Sequence, residues 1–148
     1  MSFDLGVWHS DGPLTNEEAG DIYLRLCEDW PHLEGDSADV IAFYEELIGH
    51  WPEIDSIPEE NVGNFDICPW SCALDHSGEA VVMACVWSKA DEVFAFVSQL
   101  ADKHKLVLFD PQANQVSLPD HLIPKLPDRP KPIKKAGLFR RLFGGPGV

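Results

Sequence analysis

The amino-acid sequence changes character near residue 122, and this change limits what can fold as one unit. Residues 1–122 contain 24 of the 25 acidic residues and only four basic ones, which gives a net charge of −20. Residues 123–148 contain seven Lys and Arg residues against one Asp, which gives +6. Four prolines between Ile123 and Ile133 disfavour a helix or a strand there. We therefore predict one acidic domain over 1–122 and a Pro-rich basic tail with a short amphipathic segment over 123–148.

Apolar residues recur at helical spacing in three segments of the acidic part. Thr15 with Glu18 forms a capping box before the first segment, Ser37 begins the second, and Ser88 with Asp91 is expected to cap the third. Pro31 and Pro52 end the first two segments. The side chains expected to face inward are Ala19, Ile22, Tyr23, Leu26, Cys27 and Trp30, then Val40, Ile41, Tyr44, Leu47, Ile48 and Trp51, then Val93, Phe94, Val97, Leu100 and Ala101.

Strand signals complete the domain. Phe3–Trp8 alternates apolar and polar residues, and Ser71–Leu74 with Ala80–Trp87 predicts a hairpin whose second strand is central. Lys105–Phe109 and Gln115–Leu118 predict two further strands, and a right-handed parallel crossover is expected between Ala80 and Phe109. The fold class is therefore α+β, a single domain with a mixed, mainly antiparallel sheet packed by about three helices, in the order β-α-α-β-β-α-β-β.

The first two helical segments share a short repeat. Tyr23-x2-Leu26-x3-Trp30-Pro31 recurs 21 residues later as Tyr44-x2-Leu47-x3-Trp51-Pro52. One interpretation is a paired recognition surface. The other, which we favour, is two amphipathic helices whose aromatic ends pack on one core.

The sequence lacks the motifs that carry common chemistry. Cys68-x3-Cys72-x3-His76 is the one cluster with the spacing of metal ligands, but a second Cys/His pair is missing, so buried thiols are the favoured interpretation. No nucleophile elbow, His-Glu-x-x-His motif or glycine-rich phosphate loop occurs. We assign no catalytic residue, no metal and no cofactor, and we expect no enzymatic activity.

Composition also limits the compartment and the partners. A body at −20 repels nucleic acid and anionic membranes and attracts basic surfaces. No run is long and apolar enough to span a membrane, the N-terminus lacks a secretory signal, and the four cysteines do not form a disulfide framework. These features predict a cytoplasmic protein without integral membrane association, in an oligomeric state that the sequence leaves open.

Two segments, together with the acidic body, resemble those of a known class of proteins. The opening strand Phe3-Asp4-Leu5-Gly6-Val7-Trp8, the acidic α+β body, and Val107-Leu108-Phe109-Asp110-Pro111-Gln112 together resemble small acidic bacterial immunity proteins of polymorphic or contact-dependent toxin systems. The resemblance covers residues 1–122. It implies a non-catalytic protein that binds a toxin domain tightly and occludes its active cleft. Asp110-Pro111-Gln112 itself predicts an Asx-type turn rather than a ligand site.

A binding role directs attention to the long aperiodic segment 53–70 and the connection between the first two helices. Acidic side chains there would steer a partner with a basic surface, such as a toxin domain. The candidate partner-binding residues are Glu34, Asp36, Glu53, Asp55, Glu59, Glu60 and Asp66. Two alternatives remain: a hydrolase-like enzyme that uses Asp110 and a histidine, and an adaptor whose basic tail docks on a membrane or an assembly. The amphipathic segment 136–143 could also fold back on the acidic domain.

Overall fold

Five strands form one sheet in the order β2-β3-β1-β4-β5, in a computed structural model that describes residues 1–28 and 35–124. The strands and helices along the chain are β1 (Phe3–Trp8), α1 (Asn16–Glu28), α2 (Ala38–His50), β2 (Asp75–His76), β3 (Ala80–Cys85), α3 (Ala90–Lys103), β4 (Val107–Asp110) and β5 (Gln115–Ser117). The predicted α+β class, the single domain and the order of elements are confirmed.

All neighbouring strands in the described sheet pair antiparallel. β1 lies at the centre, where it pairs along its full length with β3 and through Gly6–Trp8 with β4. β3 is an interior strand, as predicted, but β1 and not β3 occupies the middle of the sheet. β3 and β4 run in the same direction, as the expected crossover requires. They are not paired with each other, because β1 lies between them. The first strand can take the centre because its side chains are buried on both faces of the sheet.

The two faces of the sheet carry separate apolar clusters. Leu5, Val7 and Leu108 point to the face covered by α2 and α3, where Val40, Phe43, Leu47, Val93 and Val97 complete the larger cluster. Trp8, Val107 and Phe109 point to the opposite face, where Ala19, Tyr23 and Leu26 of α1 cover them. The alternation of side chains along each strand thus produces a helix–sheet–helix sandwich.

This arrangement corrects the interpretation of the repeat. Tyr23 of α1 belongs to one cluster, whereas Tyr44 of α2 packs against the other. The two helices therefore do not share one core. Both faces of the sheet are apolar, so each face requires its own helical cover. Trp30, Pro31 and Glu34 lie outside the described residues, as does the basic tail from residue 125 onward.

Helix starts were partly predictable. Thr15 Oγ1 accepts from the Glu18 backbone N–H at 3.1 Å while Glu18 Oε1 accepts from the Thr15 N–H at 3.2 Å, which confirms the capping box. Ser37 Oγ caps α2 by accepting from the Val40 N–H at 3.4 Å. The predicted cap of α3 is wrong: the helix follows a 3₁₀ turn at Trp87–Lys89, and no side chain caps its first turn.

Three other local predictions differ from the structure. The hairpin exists, but its first strand is Asp75–His76, not Ser71–Leu74. On α2, Phe43 is fully buried while Ile41 is exposed. On α1, Cys27 is exposed, although it was expected to face inward. These residues lie at the borders of apolar faces, where neighbouring helices and strands decide which side chain is covered.

Candidate functional site

The long segment after α2 is a loop whose ends are joined. The Cys68 thiol donates to the Pro52 carbonyl oxygen at 3.3 Å, and the Trp70 indole Nε1–H donates to the Trp51 carbonyl oxygen at 3.4 Å. The rings of Trp51 and Trp70 meet edge to face with their centroids 5.9 Å apart. An antiparallel bridge also joins Trp70 to Cys85 of β3. Closed at its base by buried groups, the loop has the form of an Ω-loop.

Backbone hydrogen bonds also order the interior of the loop. Two 3₁₀ turns occupy Ile54–Ser56 and Glu59–Asn61. The Asn64 carbonyl oxygen then accepts from the Ile67 and Cys68 N–H groups, both at 3.1 Å. Gly63 has φ of +90°, a left-handed conformation that favours glycine and permits the reversal there. The loop therefore holds a defined shape without a helix or strand of its own.

Two of the predicted partner-binding acids have internal partners. Glu53 is half-buried, and its Oε1 accepts from the Leu74 N–H at 3.0 Å. Burial, together with the neighbouring Glu53 carboxylate, raises the pKa of Tyr44 above its usual value. Asp66 forms an ion pair with Lys89, and this hydrogen bond raises the pKa of the lysine. Glu53 and Asp66 therefore fasten the loop to the body of the domain.

The remaining predicted acids differ in their surroundings. Asp36 lies at the N-terminal end of α2 against the β2–β3 turn, where a Cβ added to Gly78 would fall 2.4 Å from its Oδ1. Asp55, Glu59 and Glu60 are exposed, and no residue in the described ranges pairs with their carboxylates. Glu34 lies outside the described residues. The structure thus brings Asp55, Glu59 and Glu60 together with Asp66 on one loop and leaves Asp36 on another connection.

Sequence reasoning missed the apolar side chains that accompany these acids. Val62 is 58% exposed, Phe65 40% and Trp87 47%, and Ile67 is also exposed. The Val86 N–H donates to the Pro69 carbonyl oxygen at 3.0 Å, and Lys89 pairs with Asp66, so Trp87 lies beside the end of the loop. We call the following set the acidic loop surface: Asp55, Glu59, Glu60, Val62, Phe65, Ile67 and Trp87. In the sequence, the signal for this surface is the presence of large apolar residues without helical or strand periodicity in a loop rich in Pro and acidic residues.

Asp110 forms the predicted Asx-type turn. Its Oδ1 accepts from the Gln112 N–H at 2.9 Å and from the Ala113 N–H at 3.3 Å. The Gln112 side chain pairs with both backbone polar groups of Asp4, at 2.7 Å and 2.8 Å. It thereby continues the pairing of β1 with β4 beyond the end of the strand. These contacts give Asp110 and Gln112 structural roles, and no histidine is among the hydrogen-bond partners that the described residues offer Asp110.

Three of the described histidines, His50, His76 and His104, pack or pair with neighbouring side chains of the fold. The ring of His76 stacks on Tyr44 with the centroids 3.9 Å apart, and that of His50 stacks on Phe96 at 4.0 Å. His104 Nε2 lies 3.0 Å from Glu46 Oε1, and the Lys103 ammonium group lies 2.6 Å from the same oxygen. Hydrogen bonds from Lys103 and His104 lower the pKa of Glu46, which links α2 to the end of α3.

The four cysteines divide into two environments. Cys68 and Cys85 are buried, whereas Cys27 and Cys72 are exposed, so the expectation that Cys72 is a buried strand residue is wrong. Burial raises the pKa of Cys85 to about 11. Within residues 1–28 and 35–124, no group of three or more His, Cys, Asp or Glu side chains could hold a metal ion.

Alkylation at pH 8 should therefore modify two thiols in the native protein, Cys27 faster than Cys72, because partial burial and the nearby Asp75 carboxylate raise the pKa of Cys72. Cys68 and Cys85 are shielded, and Cys85 holds little thiolate at that pH. Mass spectrometry should detect two adducts under native conditions and four in denaturant. Four prompt adducts on the folded chain would contradict the burial of Cys68 and Cys85.

No protein family matches the sequence, and no curated protein or solved structure matches it. In the described part of the chain, no helix has the length and apolar character needed to cross a membrane.

Proposed function

We propose that the protein is a non-catalytic binding protein that neutralises another protein by inserting its acidic loop surface into a basic cleft. Bacterial immunity proteins, which the sequence resembles, neutralise toxins by tight binding that occludes the active cleft. The observation that supports the proposal is the combination, on the loop and the adjoining turn at Trp87, of carboxylates without a described partner and exposed apolar side chains. Asp55, Glu59 and Glu60 supply the charge, and Phe65 and Trp87 supply the apolar contact area.

Each part of this surface has a distinct physical role in binding. The body at −20 accelerates encounter with a basic partner, and salt screens this attraction. Burial of aromatic side chains gives the complex its lifetime, because such groups dominate the affinity of protein interfaces. The closed base of the loop also lowers the entropy lost on binding, since the contacts of Trp70 and Cys68 order the loop beforehand.

Neutralising the three carboxylates should slow association with the cognate partner. The partner is captured from a lysate of the native organism at low salt, retained through a high-salt wash, purified, and mixed with the protein in a stopped-flow experiment. Asp55→Asn/Glu59→Gln/Glu60→Gln should lower the association rate constant about tenfold at low salt and flatten its salt dependence. The matched control Glu28→Gln/Asp102→Asn/Asp120→Asn removes the same charge from other elements and should have a smaller effect. Equal effects of the two triple variants would exclude the acidic loop surface.

Removing the aromatic contacts should shorten the lifetime of the complex instead. Phe65→Ala/Trp87→Ala is expected to raise the dissociation rate constant at least tenfold with little change in association. The partner's own activity should fall when one equivalent of the wild-type protein is added, and this inhibition should weaken with the double variant. Full activity of the partner in a stoichiometric complex would overturn neutralisation.

A further inference from the structure

A groove of about 500 Å³ lies between α1 and the turn that follows β4, away from the acidic loop surface. Tyr23 and Leu24 line it from α1, and Phe109 and Pro111 line it from the sheet. A Cβ added to Gly20 would lie 3.4 Å from Asn114 Oδ1 and 3.6 Å from the Phe109 ring, so Gly20 forms part of the wall of the groove beside both residues. Leu24 is 57% exposed, which leaves apolar surface uncovered in the described structure.

The groove is also acidic. The exposed side chains of Glu17 and Asp21 line it beside the apolar groups. α1 as a whole carries four acidic residues and one basic residue, Arg25. An occupant that suits this groove therefore combines large apolar side chains with positive charge.

We propose that residues 138–143 of the same chain, Leu-Phe-Arg-Arg-Leu-Phe, bind in this groove. Their four apolar side chains would cover Leu24 and Pro111 above the buried Tyr23–Phe109 pair that forms the floor of the groove, and Arg140 and Arg141 would face Glu17 and Asp21. Arginine suits this role because its planar group pairs well with carboxylates beside apolar surface. The net charge of +6 in the tail matches the acidic body.

The path of the chain favours this groove over other acidic surfaces. The described body ends in a 3₁₀ turn at Asp120–Leu122, and Leu122 is buried in the same cluster as Tyr23 and Phe109. The tail therefore begins on the α1 face of the sheet. The 15 residues between Leu122 and Leu138 can span up to about 50 Å, more than enough to return to α1. A segment tethered in this way has a millimolar effective concentration, so modest contacts suffice to hold it.

Photocrosslinking of the full chain tests this proposal. Phe139 is replaced by p-benzoyl-phenylalanine, the protein is irradiated at micromolar concentration, and crosslinked peptides are mapped by mass spectrometry. We expect crosslinks within single chains to residues 17–24 or 109–114, with a lower yield at high salt. Crosslinks to other surfaces, crosslinks mainly between two chains, or no crosslink at all would overturn the proposal.

A pair of matched variants distinguishes docking of the tail in the groove from nonspecific association of the tail with apolar surface. Leu24→Glu places a carboxylate among the apolar side chains of the groove and should lower the crosslink yield at least tenfold. Ile41→Glu makes the same change at an exposed apolar position on α2, which covers the opposite face of the sheet, and should leave the yield unchanged. Equal yields from the two variants would contradict docking at α1. The result is independent of the acidic loop surface, so either proposal can fail alone.

Discussion

Replacing Trp70 with alanine is expected to lower the free energy of unfolding by about 3–5 kcal/mol, the usual cost of removing a large aromatic group from a core. The indole is 1% exposed, meets the Trp51 ring edge to face and donates to the Trp51 carbonyl oxygen. Urea unfolding followed by far-UV circular dichroism measures the change, since tryptophan fluorescence would lose one of its own probes. Amide hydrogen exchange over residues 53–68 should also accelerate, because Trp70 closes the base of the loop.

Trp87 provides the matched control for this prediction. It is 47% exposed and contacts the Phe3 ring with the centroids 5.4 Å apart. Trp87→Ala should therefore destabilise the protein much less than Trp70→Ala while removing a side chain of the acidic loop surface. Comparable losses of stability, or unchanged exchange in Trp70→Ala, would contradict the role of Trp70 as the anchor of the loop.

The type and order of the helices and strands could be predicted from the sequence because capping motifs and apolar periodicity lie within each segment. Thr15 and Glu18 satisfy each other's backbone groups whatever surrounds them, and the alternation of Phe3–Trp8 is a property of the strand itself. Strand order depends on contacts between distant residues, such as Gly6 with Phe109 and with Val82. No pattern within one segment encodes such a contact, which is why β1 was not recognised as the central strand.

In the candidate site, too, local features were predictable and long-range contacts were not. A solvated acidic loop over residues 53–70 was predictable from its prolines and carboxylates. The sequence did not indicate that Glu53 is engaged by Leu74 or that Asp66 pairs with Lys89, because these partners are 21 and 23 residues away. Trp87 was assigned to the predicted strand, although the strand ends at Cys85 and leaves Trp87 beside the loop. Exposure is a tertiary property, so the apolar part of the acidic loop surface emerged only from the structure.

Gly6→Ala is expected to lower the free energy of unfolding by about 1–3 kcal/mol, although alanine is ordinarily preferred over glycine in a strand. An added Cβ would lie 2.9 Å from Tyr23 Cδ2 and 3.2 Å from Trp8 Cζ3, and both rings are buried. Overpacking therefore outweighs the entropic benefit of alanine. Gly49→Ala is the control: nothing lies within 4 Å of its added Cβ, and the residue is helical. That substitution should stabilise the protein by up to about 1 kcal/mol.

A double-mutant cycle shows whether the Tyr23 ring causes the loss in Gly6→Ala. Tyr23→Leu removes the ring that the new methyl group would strike, so alanine at position 6 should cost less in that background than in the wild type. We expect a coupling energy of about 0.5–3 kcal/mol between the two positions, measured by urea unfolding of all four proteins. Additive losses would mean that the close approach of α1 to the central strand does not determine the need for glycine at position 6. A favourable coupling would identify Gly6 as the residue that lets α1 pack against β1, which in turn places Leu24 and Asp21 beside Phe109 in the groove.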